Sequence, residues 1–300
     1  TDMRNTESIK AQLRKLASNA NKPYEYLQTH YFIERLLFRL SHSEYADAFV
    51  LKGGLLLYSI FSHQSRATRD MDFLARNQPN DPAQFARILS VVCQIDSDDG
   101  VRFDTESITA VRIKEDADYQ GIRLKVDAYL DRSRSVLQLD IGFGDIVVPA
   151  PQVMTYPSLL DMDEVRLLAY SKESVIAEKF QAMLFLAQIN SRMKDFFDIT
   201  TLSNMFDFDG KSLRDAIEKT LSNRKTSLVD EPIVFSPSFR VDIEKTQQWD
   251  QFLKRTSLDA LPFAETMESL TVFLEPLYQA IQSGAAFTRT WLHEKRAWTE

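Results

Sequence analysis

The spacing of apolar positions predicts helices over residues 6–18 and 24–40, with Pro23 suited to the first turn of the second. Ala48-Phe49-Val50-Leu51 reads as a short buried strand that runs into Lys52-Gly53-Gly54, and a helix starts over Leu55 to Phe61. Met71 to Ala75 is a second strand, and Pro82 opens a helix to about Val92. Residues 122–130 alternate strictly. Ile122, Leu124, Val126, Ala128 and Leu130 share one face, and Arg123, Lys125, Asp127 and Tyr129 share the other. Val136 to Val148 is a further strand region, after which Pro149, Pro151 and Pro157 punctuate a connection.

Beyond that connection the pattern turns helical. Ser171 is suited to an N-cap, with Glu173 in the first turn. Val175, Ile176, Phe180, Met183, Leu184 and Ala187 form an apolar stripe at helical spacing. Further helices are expected at 191–204, 211–222, 240–255 and 262–282. A mixed segment followed by an all-helical one predicts an α+β fold: a lobe with a mixed sheet and N-terminal helices over 1–155, and a helical lobe over 156–300. A length of 300 residues agrees with two domains.

Composition narrows the chemistry. Only 8 of 300 residues are glycine, roughly 2.7% against an average near 7%. No Walker loop and no G-x-G-x-x-G fingerprint is present, which excludes the common nucleotide-binding loops. The one adjacent pair is Gly53-Gly54. The net charge of −7 disfavours a nonspecific nucleic-acid binder but leaves room for a local basic groove. That charge is uneven: residues 81–163 hold 15 acids and 8 bases, and residues 1–40 hold 7 bases and 4 acids. A lone cysteine, Cys93, permits neither an internal disulfide nor a cysteine-built zinc site, and the four histidines lack ligand spacing. No apolar run approaches 18 residues and no signal-like segment is seen, so no membrane association and a cytoplasmic location are expected.

Lys52-Gly53-Gly54 is followed after fifteen residues by Asp70-Met71-Asp72-Phe73. On a strand, Asp70 and Asp72 point to one side and Met71 and Phe73 to the other. Two carboxylates held so close suit a hard cation such as Mg²⁺ between them. Glycines at a strand-to-helix junction let backbone N–H groups and a helix N-terminus approach an anion. Together they are equipment for phosphoryl or nucleotidyl transfer; separately they are a turn and a solvated acidic strand end. Asp140, flanked by apolar residues in Leu137-Gln138-Leu139-Asp140-Ile141, is a candidate third acid, with Asp127 and Asp145 as competitors. Lys179 falls inside the apolar stripe, so it either snorkels at the stripe's edge or reaches a triphosphate. Asp195 and Asp198 lie one helical turn apart, as an ion-paired or solvated face or as part of a cleft. Arg224 stands in a basic turn, Ser222-Asn223-Arg224-Lys225-Thr226, where it either complements a helix C-terminus or binds an anion.

At these residues the sequence resembles the AbiEii/AbiGii toxin family of nucleotidyltransferases, of the MenT-like type. The match continues through Asp140-Ile141-Gly142-Phe143-Gly144-Asp145 and Tyr156-Pro157-Ser158-Leu159-Leu160-Asp161. It resumes in Ala177-Glu178-Lys179-Phe180-Gln181-Ala182-Met183 and in Asn190-Ser191-Arg192-Met193-Lys194-Asp195-Phe196-Phe197-Asp198, covering roughly residues 45–227. The resemblance implies a polymerase-β-like nucleotidyltransferase lobe and a helical lobe with the active site between them. It implies that Asp70 and Asp72 hold Mg²⁺, or Mn²⁺ in its place, and that Asp140 is the third carboxylate. Lys179 would contact the phosphates, Asp195 or Asp198 would complete the cleft, and Arg224 would belong to a basic cluster. Many nucleotidyltransferases carry a serine after the first glycine; here Gly54 and Leu55 follow, so backbone N–H groups must serve instead.

The implied reaction transfers a nucleotide from an NTP to a hydroxyl with release of pyrophosphate. Phosphates would sit at Lys52, Gly53, Gly54, Lys179 and Arg66. Thr68, two residues before Asp70, would share its strand face if the strand reaches that far. Members that extend the 3′ end of tRNA, and so block translation, make tRNA the preferred acceptor. Arg66, Arg69, Lys194 and Arg224 would form the groove for it, and a cognate antitoxin is the implied partner. The competing functions are modification of a protein hydroxyl, a metal-dependent phosphodiesterase, and a non-catalytic nucleotide-binding regulator.

Overall fold

The computed structural model describes residues 6–61, 68–116 and 119–300, without the side chains of 115, 116 and 119. Arg66 therefore lies outside the described residues. The chain divides into two compact units. The first holds Thr1–Gly144 and Gln152–Ala169, and the second holds Asp145–Pro151 and Tyr170–Glu300.

The first unit is a seven-stranded mixed sheet with helices. Its strands are β1 (Phe49–Lys52), β2 (Asp70–Ala75), β3 (Val101–Asp116), β4 (Tyr119–Leu130), β5 (Ser133–Gly142), β6 (Gln152–Tyr156) and β7 (Val165–Ala169). Their order is β3-β4-β5-β2-β1-β7-β6. β2 pairs parallel with β5 and β1 parallel with β7, while the other neighbours are antiparallel. β6 forms inside the proline-marked connection, between Pro151 and Pro157, and β7 follows it, so the first unit takes in chain beyond residue 155.

Among the described residues four α-helices serve this sheet: α1 (Thr6–Asn19), α2 (Tyr24–Ser41), α3 (Gly53–Phe61) and α4 (Pro82–Cys93). Asp81 caps α4 by accepting from Ala83 N–H, and Pro82 opens it with a fixed φ. α2 packs against β5 and β7, and α4 against β3. Met71 and Phe73 are fully buried on the face of β2 opposite the aspartates. Phe73 meets Phe49 edge-on at 5.6 Å, and Phe49 meets Phe85 at 5.8 Å. Burying one such ring is worth roughly 1.5–3 kcal/mol, so this layer fixes the pleat of β2 and thereby the aim of its acidic face.

The second unit contains α5 (Lys172–Leu186), α6 (Met193–Met205), α7 (Gly210–Asn223), α8 (Pro237–Arg240), α9 (Ile243–Thr256) and α10 (Phe263–Ser283). A small sheet of β8 (Phe208–Asp209), β9 (Thr290–Leu292) and β10 (Ala297–Thr299) accompanies them. Ser171 caps α5, its Oγ accepting from Ser174 N–H. No helix among the described residues is long and apolar enough to cross a membrane.

Candidate active site

β1 ends at Lys52 and α3 begins at once with Gly53. Gly53 has φ +66°, a left-handed conformation that a side chain resists. A Cβ there would also sit 2.1 Å from Asp72 Oδ2, so glycine is the residue that lets the start of α3 lie against this carboxylate. Gly53→Ala is expected to cost about 1–2 kcal/mol in strain and to displace Asp72. A lower denaturant midpoint than that of the unsubstituted protein is the expected result.

Pairing register assembles the acidic face. Lys52 stands opposite Asp72, Asp72 opposite Asp140, and Asp70 opposite Gln138. Adjacent strands lie about 4.8 Å apart, so Asp72 and Asp140 are side by side. Gln138 Nε2 donates to Asp70 Oδ1 at 3.5 Å. The two aspartates of β2 are exposed and half-buried respectively, and Lys52 is buried.

Asp140 is engaged by Arg123, its antiparallel neighbour on β4. Arg123 Nε donates to Asp140 Oδ1 and Nη2 to Oδ2, each at 2.8 Å. The guanidinium is held above its ordinary range by Asp140 first, with Asp70 and Asp72 adding to the effect. Sequence reading placed Arg123 on the polar strand face without a role; its only signal was a cation alternating into an acidic neighbourhood. Asp127, the competitor for the third acid on that polar face, is buried and paired with Arg134, whose Nε lies 2.8 Å from its Oδ2.

Asp70 and Asp72 supply hard oxygens, the donor type Mg²⁺ takes, and Mg²⁺ commonly binds through one or two carboxylates plus phosphates and water. The donor set of β2 therefore fits such an ion without a third carboxylate. Among the described residues no group of three or more His, Cys, Asp or Glu side chains is arranged to hold a metal. Thr68 precedes β2, so it does not share the strand face of Asp70, and it is buried.

In the second unit α5 and α6 bring three of the expected residues together. Lys179 Nζ lies 2.7 Å from Asp195 Oδ1 and 2.8 Å from Asp198 Oδ2. Both acidic side chains are buried, at 0% and 1% exposure, so they are not a solvated helix face. Arg192 Nε is 2.8 Å from the other oxygen of Asp195. Burial alone would raise the Asp195 carboxyl, but Lys179 and Arg192 outweigh it and hold it below the usual range.

Arg224 is not a surface cation. Its Nη2 lies 2.9 Å from Asp145 Oδ1 and 3.6 Å from Glu178 Oε1, and its Nη1 donates to Gln181 Oε1 at 3.1 Å. Tyr170 Oη donates to the same Glu178 oxygen at 2.8 Å. Asp145, weighed as a metal ligand, is thus spent on this buried network, while Arg69 and Lys194 are exposed.

An acidic strand face thus lies beside a glycine-started helix in a mixed α+β unit, and sequence comparison names the family. The chain belongs to the family described as nucleotidyl transferase AbiEii toxin, type IV toxin–antitoxin system, which matches residues 35–270. No protein of curated function matches it in sequence. Among solved structures it is similar to JHP933 from Helicobacter pylori, at 15% identity, 87% coverage of this chain, 94% of that one and a TM-score of 0.48. A second H. pylori structure, of a candidate nucleotidyltransferase, gives 16%, 88%, 99% and 0.47.

Proposed function

We propose that this toxin-family chain transfers a nucleotide from a Mg²⁺-bound NTP to an acceptor hydroxyl, the 3′ end of tRNA, and thereby blocks translation. The observation that carries the reading is Asp70 and Asp72 on one face of β2, with Asp72 against Gly53 at the start of α3. Family membership supports the reaction class. Asp70 and Asp72 would hold the cation, which when bound neutralises phosphate charge. The N–H groups at the start of α3 offer donors and a partial positive charge to phosphate oxygens, in place of the absent serine hydroxyl. The role of Lys179 at the phosphates comes from the resemblance; in the structure its Nζ is engaged by Asp195 and Asp198. The acceptor hydroxyl loses its proton to solvent water as its oxygen bonds to the α-phosphorus, and the bond from the α-phosphorus to the bridging oxygen breaks with its electron pair leaving on pyrophosphate.

The test incubates the protein with Mg²⁺, each of four α-labelled NTPs and total RNA or purified tRNA. Label on tRNA-sized RNA with pyrophosphate released is expected, and the labelled lane identifies the base. Shortened RNA without incorporation would identify a phosphodiesterase instead. Label on protein alone would move the acceptor to a protein hydroxyl.

A further inference from the structure

Three acids share one face of the sheet: Asp70 and Asp72 on β2, and Asp140 in register with Asp72 on β5. Such a group repels itself unless a cation is supplied. The chain supplies one of its own. Arg123 stands in register with Asp140 on the far side, and its planar fork meets both carboxylate oxygens at 2.8 Å. A bidentate arginine–carboxylate pair is stronger and more directional than a single ionic contact. The pair is sheltered, with side-chain exposure of 14% for Asp140 and 37% for Arg123. Arginine keeps its charge at any working pH. A metal ion approaching Asp140 meets an occupied carboxylate and a fixed positive charge behind it. Asp70 and Asp72 belong to the next strand and are not in that fork.

We propose that Arg123 is a built-in counter-ion that withholds Asp140 from the metal, so that in the resting protein Asp140 adds nothing to the binding of a divalent cation on the acidic face of β2. Arg123 is a positioning residue here: it touches Asp140, not the reacting atoms. The consequence is weak cation binding before the nucleotide adds its own phosphate oxygens. Metal and NTP then enter together, and free metal does not saturate the acidic face. The inference rests on Asp70 and Asp72 being the metal-binding pair.

The experiment is a titration with Mn²⁺ alone, followed by electron paramagnetic resonance, on protein without nucleotide. Arg123→Met keeps the aliphatic stem and removes the charge. It should tighten Mn²⁺ binding at least tenfold, because Asp140 then joins the donor set. Arg123→Met/Asp140→Asn should return it to the wild-type level, because the gain comes from Asp140 and not from the loss of the arginine charge. Arg123→Lys keeps a cation in place and should preserve weak binding. Unchanged or weaker binding in a folded Arg123→Met protein overturns the inference. So does tightening that persists in Arg123→Met/Asp140→Asn, and Arg123→Gln with the same Asp140→Asn partner decides the matter if Arg123→Met fails to fold. Asp72→Asn tests the underlying reading separately. If it leaves Mn²⁺ binding intact, the β2 metal pair is wrong; if it abolishes binding while Arg123→Met does not tighten it, only the role of Arg123 is wrong.

Discussion

Asp72→Asn is expected to reduce nucleotide transfer by about a thousandfold or more while the protein stays folded. The substitution keeps shape and removes one negative charge. A catalytic metal contributes several kcal/mol of transition-state stabilisation, and each ~1.4 kcal/mol is tenfold in rate, so ~4 kcal/mol corresponds to ~10³. The fold should tolerate the change because an asparagine still offers an oxygen and two donors to polar neighbours. It also lessens repulsion with Asp140, which sits opposite it in register. Asp70→Asn should follow the same pattern. The measurement is incorporation of label into RNA beside a thermal melt; a folded Asp72→Asn protein with wild-type incorporation would remove Asp72 from the site.

The acidic face shows how far local pattern reaches. Period two along Asp70-Met71-Asp72-Phe73 was enough to separate the carboxylates from the core, since Met71 and Phe73 are fully buried. The neighbour of Asp72 was not legible, because β5 lies some seventy residues away and pairs parallel, a register set by the whole sheet. Arg123 was missed for another reason: it meets Asp140 through a tight antiparallel hairpin of β4 and β5, whose Asp131-Arg132 turn lacks the glycine that would declare the register. Strand β3 escaped notice because its run is polar and its pairing shifts register between Asp104 and Thr109, which breaks the alternation. β6 and β7 are five residues each, too short for periodicity to declare them. Lys179 was legible as an anomaly, a charge at an apolar position of α5. What remained hidden was that α6 would answer it with two buried carboxylates.

Lys179 therefore carries the second large expectation, which separates its structural from its chemical role. Lys179→Ala removes the ammonium that Asp195 and Asp198 share and leaves two buried carboxylates, with Arg192 still 2.8 Å from Asp195. Removing one partner of a buried ion pair costs about 3–5 kcal/mol, because the charge left behind is neither hydrated nor compensated. The denaturation midpoint of the second unit should fall accordingly, and transfer should be lost. Lys179→Met/Asp195→Asn/Asp198→Asn removes all three charges at nearly constant volume. It should recover most of the lost stability, since an uncharged set has no such penalty, but it should not recover transfer. The pH profiles should differ too. Asp195 titrates below its ordinary value in the folded protein, so its contribution to stability is present above about pH 4 and is lost as pH falls through the folded value. The triple variant should lack that acid limb. A triple variant that regains both stability and transfer would reduce Lys179 to a strut for α5 and α6; one that regains stability alone keeps the charge of this cluster in the chemistry.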